Sequence, residues 1–300
     1  SLNFNTVGSQ RIIELALPAL KEAIEPLNHI VGKLGEIPII IGLPENRPGL
    51  SADLSTDLSE KIRNSRKEIP DIGEVRTLAK GHSAGLMALE MGSKQVLQGA
   101  AAFCLVGGVD SYIDPDTLDW IEDNEQLHKP SNAWGFVPGE GAGFCLICSG
   151  NMAHRFNLPI KAQLIAISTA MEKNTIKTET ICIGEGLTQA VRNVLQVLPK
   201  ESRIDFTICD QNGEAYRADE FGFMLARNSE SFANPSDFMA PADCWGDVGA
   251  ASGPFYVNLI ASAAEKGYSK GPHTLVWTSS EGGERTAAVF QTENKGERLD

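Results

Sequence analysis

The 300-residue sequence has no apolar run approaching the roughly 18 residues that a membrane-spanning helix needs. Its N-terminus also lacks the charged and then apolar pattern of a secretory signal. Positive charge is scarce, because 26 Lys and Arg residues face 39 Asp and Glu residues, which gives a net charge of -13. Nucleic acids and anionic membranes are bound through clustered positive charge, so the sequence argues against both as partners.

The sequence also lacks the pattern of cysteines that is typical of a disulfide framework. The six cysteines, at positions 104, 145, 148, 182, 209 and 244, lie mostly in apolar runs such as AAFCLVGG and GFCLICSG, where Cys behaves as a small hydrophobe. Cys145 and Cys148 have the CxxC spacing, but residues three apart on a strand face opposite sides. We therefore expect a reduced, cytoplasmic protein with no metal site and no cofactor.

The first half of the chain alternates predicted helices and strands. A helical stripe of apolar residues precedes a strand in GEIPIIIGLPE, and the segment from Asn46 to Pro70 is predicted as loop plus a short helix. A glycine turn then leads into the long helix GHSAGLMALEMGSKQVLQG, which is followed by strands in AAFCLVGGVDS and GAGFCLIC. Such continuously apolar strands are typical of parallel pairing that is buried on both faces.

The second half repeats this scheme. Strands are predicted in IKAQLIAIS, DFTICDQ, HTLVWTSS and RTAAVFQ, and helices in GEGLTQAVRNVLQVLP, YRADEFGFML and GAASGPFYVNLIASAAEKG. Each half places a small-residue turn before a long helix that leads to an apolar strand. This similarity favours an internal duplication, with one half at residues 1–152 and the other at residues 153–300.

Four stretches resemble motifs of the condensing-enzyme family, the thiolase-fold β-ketoacyl synthases: GHSAGLMALEMGSKQVLQGAAAFCLVGGVDSY, GFVPGEGAGFCLI, ICDQNGEAYRADEFG and CWGDVGAASGPF. The C-terminal SSEGGERTAAVF similarly resembles the family's glycine-pair strand turn. The resemblance implies an α/β, thiolase-like five-layer αβαβα fold with two duplicated halves. The fold is expected to be N-terminally shortened, since the family has a strand and a helix before the point where this sequence begins.

The resemblance also places the family's catalytic positions on unusual residues. The nucleophilic cysteine falls on His82, the first histidine on or beside Asn212, and the second histidine on Asp247. The family's basic residue falls on Ala242, and its gating phenylalanine on Glu281. A thiolate nucleophile and two histidines carry the condensation chemistry, so we expect this chain not to condense acyl chains.

The turn GHSAG leaves two other chemistries open. It satisfies the G-x-S-x-G pattern of serine hydrolases and acyl transferases, in which Ser83 would attack a thioester or ester. The interpretation that we favour for Ser83 is a helix N-cap. His82, which follows Gly81, could form a labile acyl adduct or could fill the position of the nucleophile as a hydrogen-bonded side chain.

A second polar group of residues follows the strand DFTIC. With Asp247, this segment could line a pocket that faces His82, or it could form a buried ion-pair network in which Arg217 binds Glu220 or Glu214. The residues concerned are Asp210, Asn212, Glu214, Arg217 and Glu220.

Three further expectations concern single residues. Glu140 in PGEG is predicted to pack beneath the GHSAG turn and to accept backbone hydrogen bonds. Asp110, at the end of a strand, is predicted to cap the next helix. Trp120, Trp134 and Trp245 are predicted to fill cores or to line an acyl pocket.

Two function classes follow from the resemblance. In the first, the chain is a partner or scaffold subunit, like the chain-length factors. It would form a homodimer, or a heterodimer with an active condensing subunit, and its possible ligand is an acyl thioester. In the second, it retains acyl transfer or thioester hydrolysis through Ser83 or His82. The strand AAFCLVGG is expected to offer a bare edge that pairs across a two-fold axis.

Overall fold

The computed structural model describes residues 5–30, 35–66, 69 and 71–293. The prediction for Asn46 to Pro70 therefore lies partly outside the described residues. Two compact units are present: the first comprises Ser1–Leu127, Pro138–Ile160 and Val248–Phe255, and the second comprises His128–Val137, Lys161–Asp247 and Tyr256–Asp300. The halves 1–152 and 153–300 stay a prediction.

The first unit is built on a four-stranded sheet. Its strands are β1 (Ile37–Leu43), β2 (Ile72–Ala79), β3 (Phe103–Ser111) and β4 (Glu140–Cys148). Its helices are α1 (Gly8–Ile24), α2 (Leu54–Asn64), α3 (Ala84–Leu97), α4 (Pro115–Asp123) and α5 (Gly150–Arg155), and a 3₁₀ helix, Glu25–Ile30, follows α1. The strand order is β2-β1-β3-β4, in which β1 is parallel to β2 and β3, and β4 is antiparallel to β3.

Every residue of β3 is buried, as its apolar sequence predicts. The expectation that this strand offers a bare edge is wrong, because β1 pairs with one side of it and β4 with the other. An apolar sequence indicates that both faces of a strand are buried, but it does not indicate whether the two edges of the strand are paired. The helix α1 packs against this sheet through an apolar stripe that includes Ile12, Ala16 and Leu20.

The second unit is built on a five-stranded sheet. Its strands are β5 (Gln163–Met171), β6 (Phe206–Cys209), β7 (Phe238–Met239), β8 (His273–Ser279) and β9 (Glu284–Gln291). Its helices are α6 (Glu185–Leu195), α7 (Ala215–Asn228) and α8 (Ala242–Trp245), while α9 (Ser252–Glu265) is divided between the units after Phe255. The core of this unit includes Trp277, Leu187, Phe221 and Met224. Trp134 of the same unit is 70% exposed, so the prediction that it fills a core is wrong.

The two sheets share one strand pattern. In the second unit the order is β5-β9-β8-β6-β7, with β6 parallel to β7 and β8, and β9 antiparallel to β8. The series β7, β6, β8, β9 thus repeats the directions of β2, β1, β3, β4. This correspondence supports the predicted duplication. Among the described residues, no helix combines the length and hydrophobicity required to cross a bilayer.

Two buried helices begin where the sequence predicts. A 3₁₀ turn, Gly81–Ser83, leads into α3, and a second one, Gly249–Ala251, leads into α9. Gly81 and Gly249 both have a positive φ, of 60° and 50°, which favours glycine. The turn before α9 lies close to β3, since a Cβ atom on Gly108 of β3 would lie 2.0 Å from the carbonyl oxygen of Ala250.

Candidate functional site

The first candidate residues lie in the turn between β2 and α3. His82 and Ser83 are both buried, and Ser83 has no exposed surface. Ser83 occupies the N-cap position of α3, as predicted, but its hydroxyl makes no capping hydrogen bond. The reason is the 3₁₀ turn, which gives Ser83 a helical backbone, with φ of -74° and ψ of -15°, instead of the extended backbone of a capping residue.

Sequence reasoning missed a carboxylate at this turn. Glu45 follows β1, and a Cβ atom on Gly81 would lie 3.2 Å from its Oε1 atom. The backbone N–H of Lys80 donates to the carbonyl oxygen of Leu43 at 3.2 Å, which brings the ends of β1 and β2 together. A helix N-terminus favours an anion, whereas a nearby carboxylate opposes one. Only the parallel pairing of β1 with β2 could have revealed this neighbour.

The second unit brings together five of the predicted polar residues, which we call the acidic cluster: Asp210, Asn212, Glu214, Arg217 and Asp247. The Nδ2 atom of Asn212 donates to Glu214 Oε2 at 3.0 Å and to Asp247 Oδ2 at 2.6 Å. Arg217 donates from Nε to Glu214 and from Nη1 to Asp210, both at 3.0 Å. The predicted buried network therefore exists.

The elements of the second unit explain how the acidic cluster assembles. Asp210 directly follows β6, and its Oδ2 atom accepts the backbone N–H of Ser279 at 2.6 Å. Glu214 precedes α7, which places Arg217 on the first turn of that helix. Asp247 follows α8, and its backbone N–H donates to the carbonyl oxygen of Val137 at 2.7 Å.

Charge in the acidic cluster is fixed by its surroundings. Burial lowers the pKa of Arg217, but the carboxylates of Asp210 and Glu214 outweigh the effect of burial and raise the pKa well above its usual value. The guanidinium therefore stays charged. Burial raises the pKa of the Tyr216 phenol well above its usual value, so the phenol stays neutral.

Arg217 does not pair with Glu220, contrary to one of the predicted alternatives. The Oε1 atom of Glu220 accepts from Arg285 on β9, and its Oε2 atom accepts from Ser279 Oγ at 2.9 Å. Positions 217 and 220 lie one turn apart on α7, but the strands β8 and β9 supply nearer partners for Glu220. Burial raises the pKa of Glu220, whereas Arg285 and Ser279 lower it. This pair is a structural link between α7, β8 and β9.

Glu140 also has partners other than those predicted. It accepts side-chain hydrogen bonds from Arg11 Nε and from Ser111 Oγ, both at 2.9 Å, instead of backbone hydrogen bonds beneath the GHSAG turn. The Arg11 hydrogen bond holds the pKa of this carboxylate below its usual value, against the effect of burial. Glu140 thus ties α1 to β3 and β4. Glu281, which the resemblance places at the family's gating position, forms an ion pair with Lys177 at 2.9 Å.

One cluster in the described part of the chain has metal-ligand residue types. Ligand atoms of Glu172, Cys182 and Glu220 lie within 4.8 Å of one another. Glu172 already accepts backbone hydrogen bonds from Lys173, Asn174 and Gly186, and Glu220 binds Arg285. The carboxylates are therefore engaged in holding the fold.

The buried thiols are not activated. Burial raises the pKa of Cys104 and of Cys145 to about 12 each. Burial, and then Glu220, raise the pKa of Cys182 to about 11. A thiol with such a pKa is protonated at neutral pH and is a poor nucleophile. None of these three thiols is therefore an activated nucleophile.

Residues 73–153 match the family described as the N-terminal domain of beta-ketoacyl synthase. Among curated proteins, the chain is 22% identical over 164 residues to fatty acid synthase subunit alpha of Emericella nidulans. The matched region covers 49% of this chain and 10% of that protein. The chain is 26% identical over 132 residues to fatty acid synthase alpha subunit aflA of Aspergillus parasiticus, which covers 38% of this chain and 8% of that protein. The chain thus spans about a tenth or less of the length of these relatives.

Solved structures match over nearly the whole chain. A ketosynthase from module 6 of the bacillaene synthase of Bacillus subtilis 168 has a TM-score of 0.76 at 15% identity, covering 95% of this chain and 59% of that one. A type II ketosynthase in complex with its acyl-carrier protein has a TM-score of 0.77 at 16% identity, covering 97% and 86%. The ishigamide ketosynthase/chain length factor has a TM-score of 0.70 at 20% identity, covering 94% and 81%. These matches confirm the predicted thiolase-type fold.

Proposed function

Because this chain is β-ketoacyl synthase-like in sequence over residues 73–153 and in fold, we propose that it serves fatty acid or polyketide metabolism without condensing acyl chains. Its role is that of a partner or scaffold subunit. It assembles as a homodimer or as a heterodimer with an active condensing subunit.

The observation that carries this proposal is the bonding of Asn212. This residue stands at or beside the position of the family's first histidine, which would donate a hydrogen bond to a thioester carbonyl. Both hydrogens of its Nδ2 atom have carboxylate acceptors, one on Glu214 and one on Asp247. Asp247 stands at the position of the second histidine, and an ionised carboxylate accepts hydrogen bonds but donates none. Neither side chain is available to polarise a carbonyl.

The nucleophile position supports the same proposal. His82 cannot carry the negative charge of a thiolate, and Glu45 lies beside Gly81, where it opposes a developing anion. Losing a nucleophile or its base typically costs several orders of magnitude in rate. Replacement of the nucleophile together with both histidines leaves none of the side chains on which the condensation reaction depends.

The role as a partner subunit draws on the structural neighbours. One of them is a ketosynthase/chain length factor, and another is a ketosynthase in complex with an acyl-carrier protein. A subunit that keeps the fold and exchanges its catalytic residues can still supply an interface.

A second candidate function is acyl transfer or thioester hydrolysis through Ser83 or His82. One observation favours it: Gly81 has a positive φ in a turn that joins a strand to a buried helix, as in the nucleophile elbows of hydrolases. The absence of exposed surface on Ser83 opposes it.

An adduct experiment separates the two functions. The purified protein is incubated with an acyl thioester, and its intact mass is measured alongside those of Ser83→Ala and His82→Ala. The partner-subunit proposal predicts no covalent adduct on any of the three proteins. An adduct on the unmodified chain that disappears in Ser83→Ala or in His82→Ala would instead establish the second function.

A further inference from the structure

The second unit contains an open cleft, which we call the polar cleft, with a volume of about 720 Å³. A volume of this size is typical of a site for a small molecule. Six polar residues line it, three of which precede β6 and three of which follow α7: Lys200, Ser202, Arg203, Ser229, Glu230 and Ser231.

Two backbone hydrogen bonds join the two segments that line the polar cleft. The N–H of Ile204 donates to the carbonyl oxygen of Ser231, and the N–H of Ala233 donates to the carbonyl oxygen of Ile204, both at 2.8 Å. Ile204 and Phe232 are buried and belong to the core of the unit. The walls of the cleft are thus fixed before a ligand arrives, which lowers the entropic cost of binding.

The polar cleft and the acidic cluster lie at opposite ends of the same two elements. Arg203 precedes β6 and Asp210 follows it, whereas Glu214 precedes α7 and Ser229 follows it. The 14 residues of α7 separate its two ends by about 20 Å, at about 1.5 Å per residue. A small molecule in the polar cleft therefore does not reach the acidic cluster, and the cleft is a separate site.

The polar cleft is positively charged, although the chain as a whole has a net charge of -13. Its lining has two cations, Lys200 and Arg203, against one carboxylate, Glu230. Both cations are exposed, and neither forms an ion pair with another residue in the described part of the chain. By contrast, the exposed lysines Lys161 and Lys270 of the same unit each pair with a carboxylate.

We propose that the polar cleft binds a phosphorylated sugar. A guanidinium and an ammonium group are the side-chain groups that bind phosphate most strongly. The three serine hydroxyls of the lining both donate and accept hydrogen bonds, which suits the hydroxyls of a sugar. This site goes beyond the proposed function and does not depend on it.

The lining disfavours two other classes of phosphorylated ligand. Phe232 is the one apolar residue of the lining, and only 3% of its surface is exposed. The cleft therefore offers no aromatic face on which a nucleobase could stack and no apolar surface for an acyl chain.

The experiment is isothermal titration calorimetry of the full chain with three probes: ribose 5-phosphate, ribose and inorganic phosphate. Ribose 5-phosphate is expected to bind at least about tenfold more tightly than either of the others, because it alone supplies both the phosphate and the sugar hydroxyls. Lys200→Gln and Arg203→Gln should each weaken its binding about tenfold, since each removes one charge-assisted hydrogen bond. Glu230→Gln should strengthen it, because the carboxylate repels the phosphate.

Lys161→Gln is the matched control. It removes the same charge from an exposed position of the same unit, and Lys161 pairs with Glu265 outside the polar cleft. Binding of ribose 5-phosphate should therefore stay unchanged. The lysine and arginine side chains concerned are exposed, so all the variants should fold, which circular dichroism confirms.

Absence of ribose 5-phosphate binding would overturn the inference. Equal affinity for ribose would show that the cations do not contribute, and equal affinity for inorganic phosphate would show an adventitious anion site without sugar recognition. A loss for Lys161→Gln as large as that for Lys200→Gln would assign the effect to overall charge and would also overturn the inference.

Discussion

The Oδ2 atom of Asp110 accepts a hydrogen bond from the backbone N–H of Ala250 at 3.1 Å, although the two residues lie 140 positions apart. The other oxygen, Oδ1, binds Arg47 Nη2 at 2.6 Å and the backbone N–H of Ser111 at 2.8 Å. Asp110 thus joins the end of β3 to the turn before α9 and to the loop after β1. The predicted role of Asp110 as the cap of the next helix belongs instead to Asp114, which accepts from Asp116 and Thr117.

Replacing Asp110 should therefore destabilise the protein substantially. Asp110→Ala leaves Arg47 without its carboxylate in a buried site, and we expect a loss of about 3 kcal/mol in the free energy of unfolding. Urea unfolding followed by circular dichroism measures this loss. Asp119→Asn, on the exposed side of α4, is the control and should change stability by less than about 0.5 kcal/mol. A loss for Asp110→Ala as small as that of the control would contradict the assigned role.

Glycine at position 108 is required by close packing. Because the added Cβ atom would lie 2.0 Å from Ala250 O, Gly108→Ala should cost about 3 kcal/mol or prevent folding. The matched control is Gly222→Ala in α7, where nothing lies within 4 Å of the added atom. That change should stabilise the protein by about 0.5–1 kcal/mol, because alanine favours helix. Thermal unfolding of both variants tests the pair, and similar melting temperatures would refute the packing argument.

Glu140 gives a prediction about pH. Its pKa in the folded protein is lowered from 4.5 by the Arg11 hydrogen bond, so its ionised form stabilises the fold at neutral pH. That stabilisation is present above the unfolded pKa and is lost as the pH falls through the lower folded value. Glu140→Gln should therefore be less stable than the unmodified protein at pH 7, with a difference that shrinks below about pH 4.5. Denaturant unfolding across this range measures the difference, and a gap independent of pH would rule the assignment out.

Sequence patterns predicted the long strands and helices that form the cores of the two units, but not the short elements α5, β7 and α8. Apolar runs such as AAFCLVGG fix burial, and glycine turns fix the starts of α3 and α9, because both depend on residues close together in sequence. Sheet order depends on contacts between distant segments. For that reason the position of β3 between β1 and β4 was missed.

In the candidate site, too, residues close together in sequence were predictable, whereas contacts between distant segments were not. The residues of the acidic cluster were identified because four of them lie within eight positions of one another. Their pairing was only half foreseen: Arg217 binds Glu214, as one alternative held, while Glu220 binds Arg285 on β9. Glu45 was missed because nothing in its local sequence reveals that β1 and β2 end side by side.

The dimer remains a prediction, but the structure removes the argument that rested on a bare edge of β3. Since β3 has no bare edge, a two-fold dimer must use another surface of the chain. We still expect a dimer, as homodimer or heterodimer, because the proposed role as a partner subunit requires an interface. Light scattering at micromolar concentration should give twice the chain mass of 32.3 kDa for a homodimer. A monomer that also fails to bind a condensing subunit would contradict the proposal.

The central claim is tested most directly by a condensation assay with acyl and malonyl carrier thioesters. The unmodified protein is expected to give no product above a blank without protein, because the proposed function places His82, Asn212 and Asp247 at the positions of the thiolate and both histidines. The triple variant His82→Cys, Asn212→His, Asp247→His is expected to give little turnover, since the same correspondence leaves Ala242 and Glu281 at the positions of the family's basic residue and gating phenylalanine. Malonyl-dependent product from the unmodified protein, abolished by His82→Ala, would contradict the account.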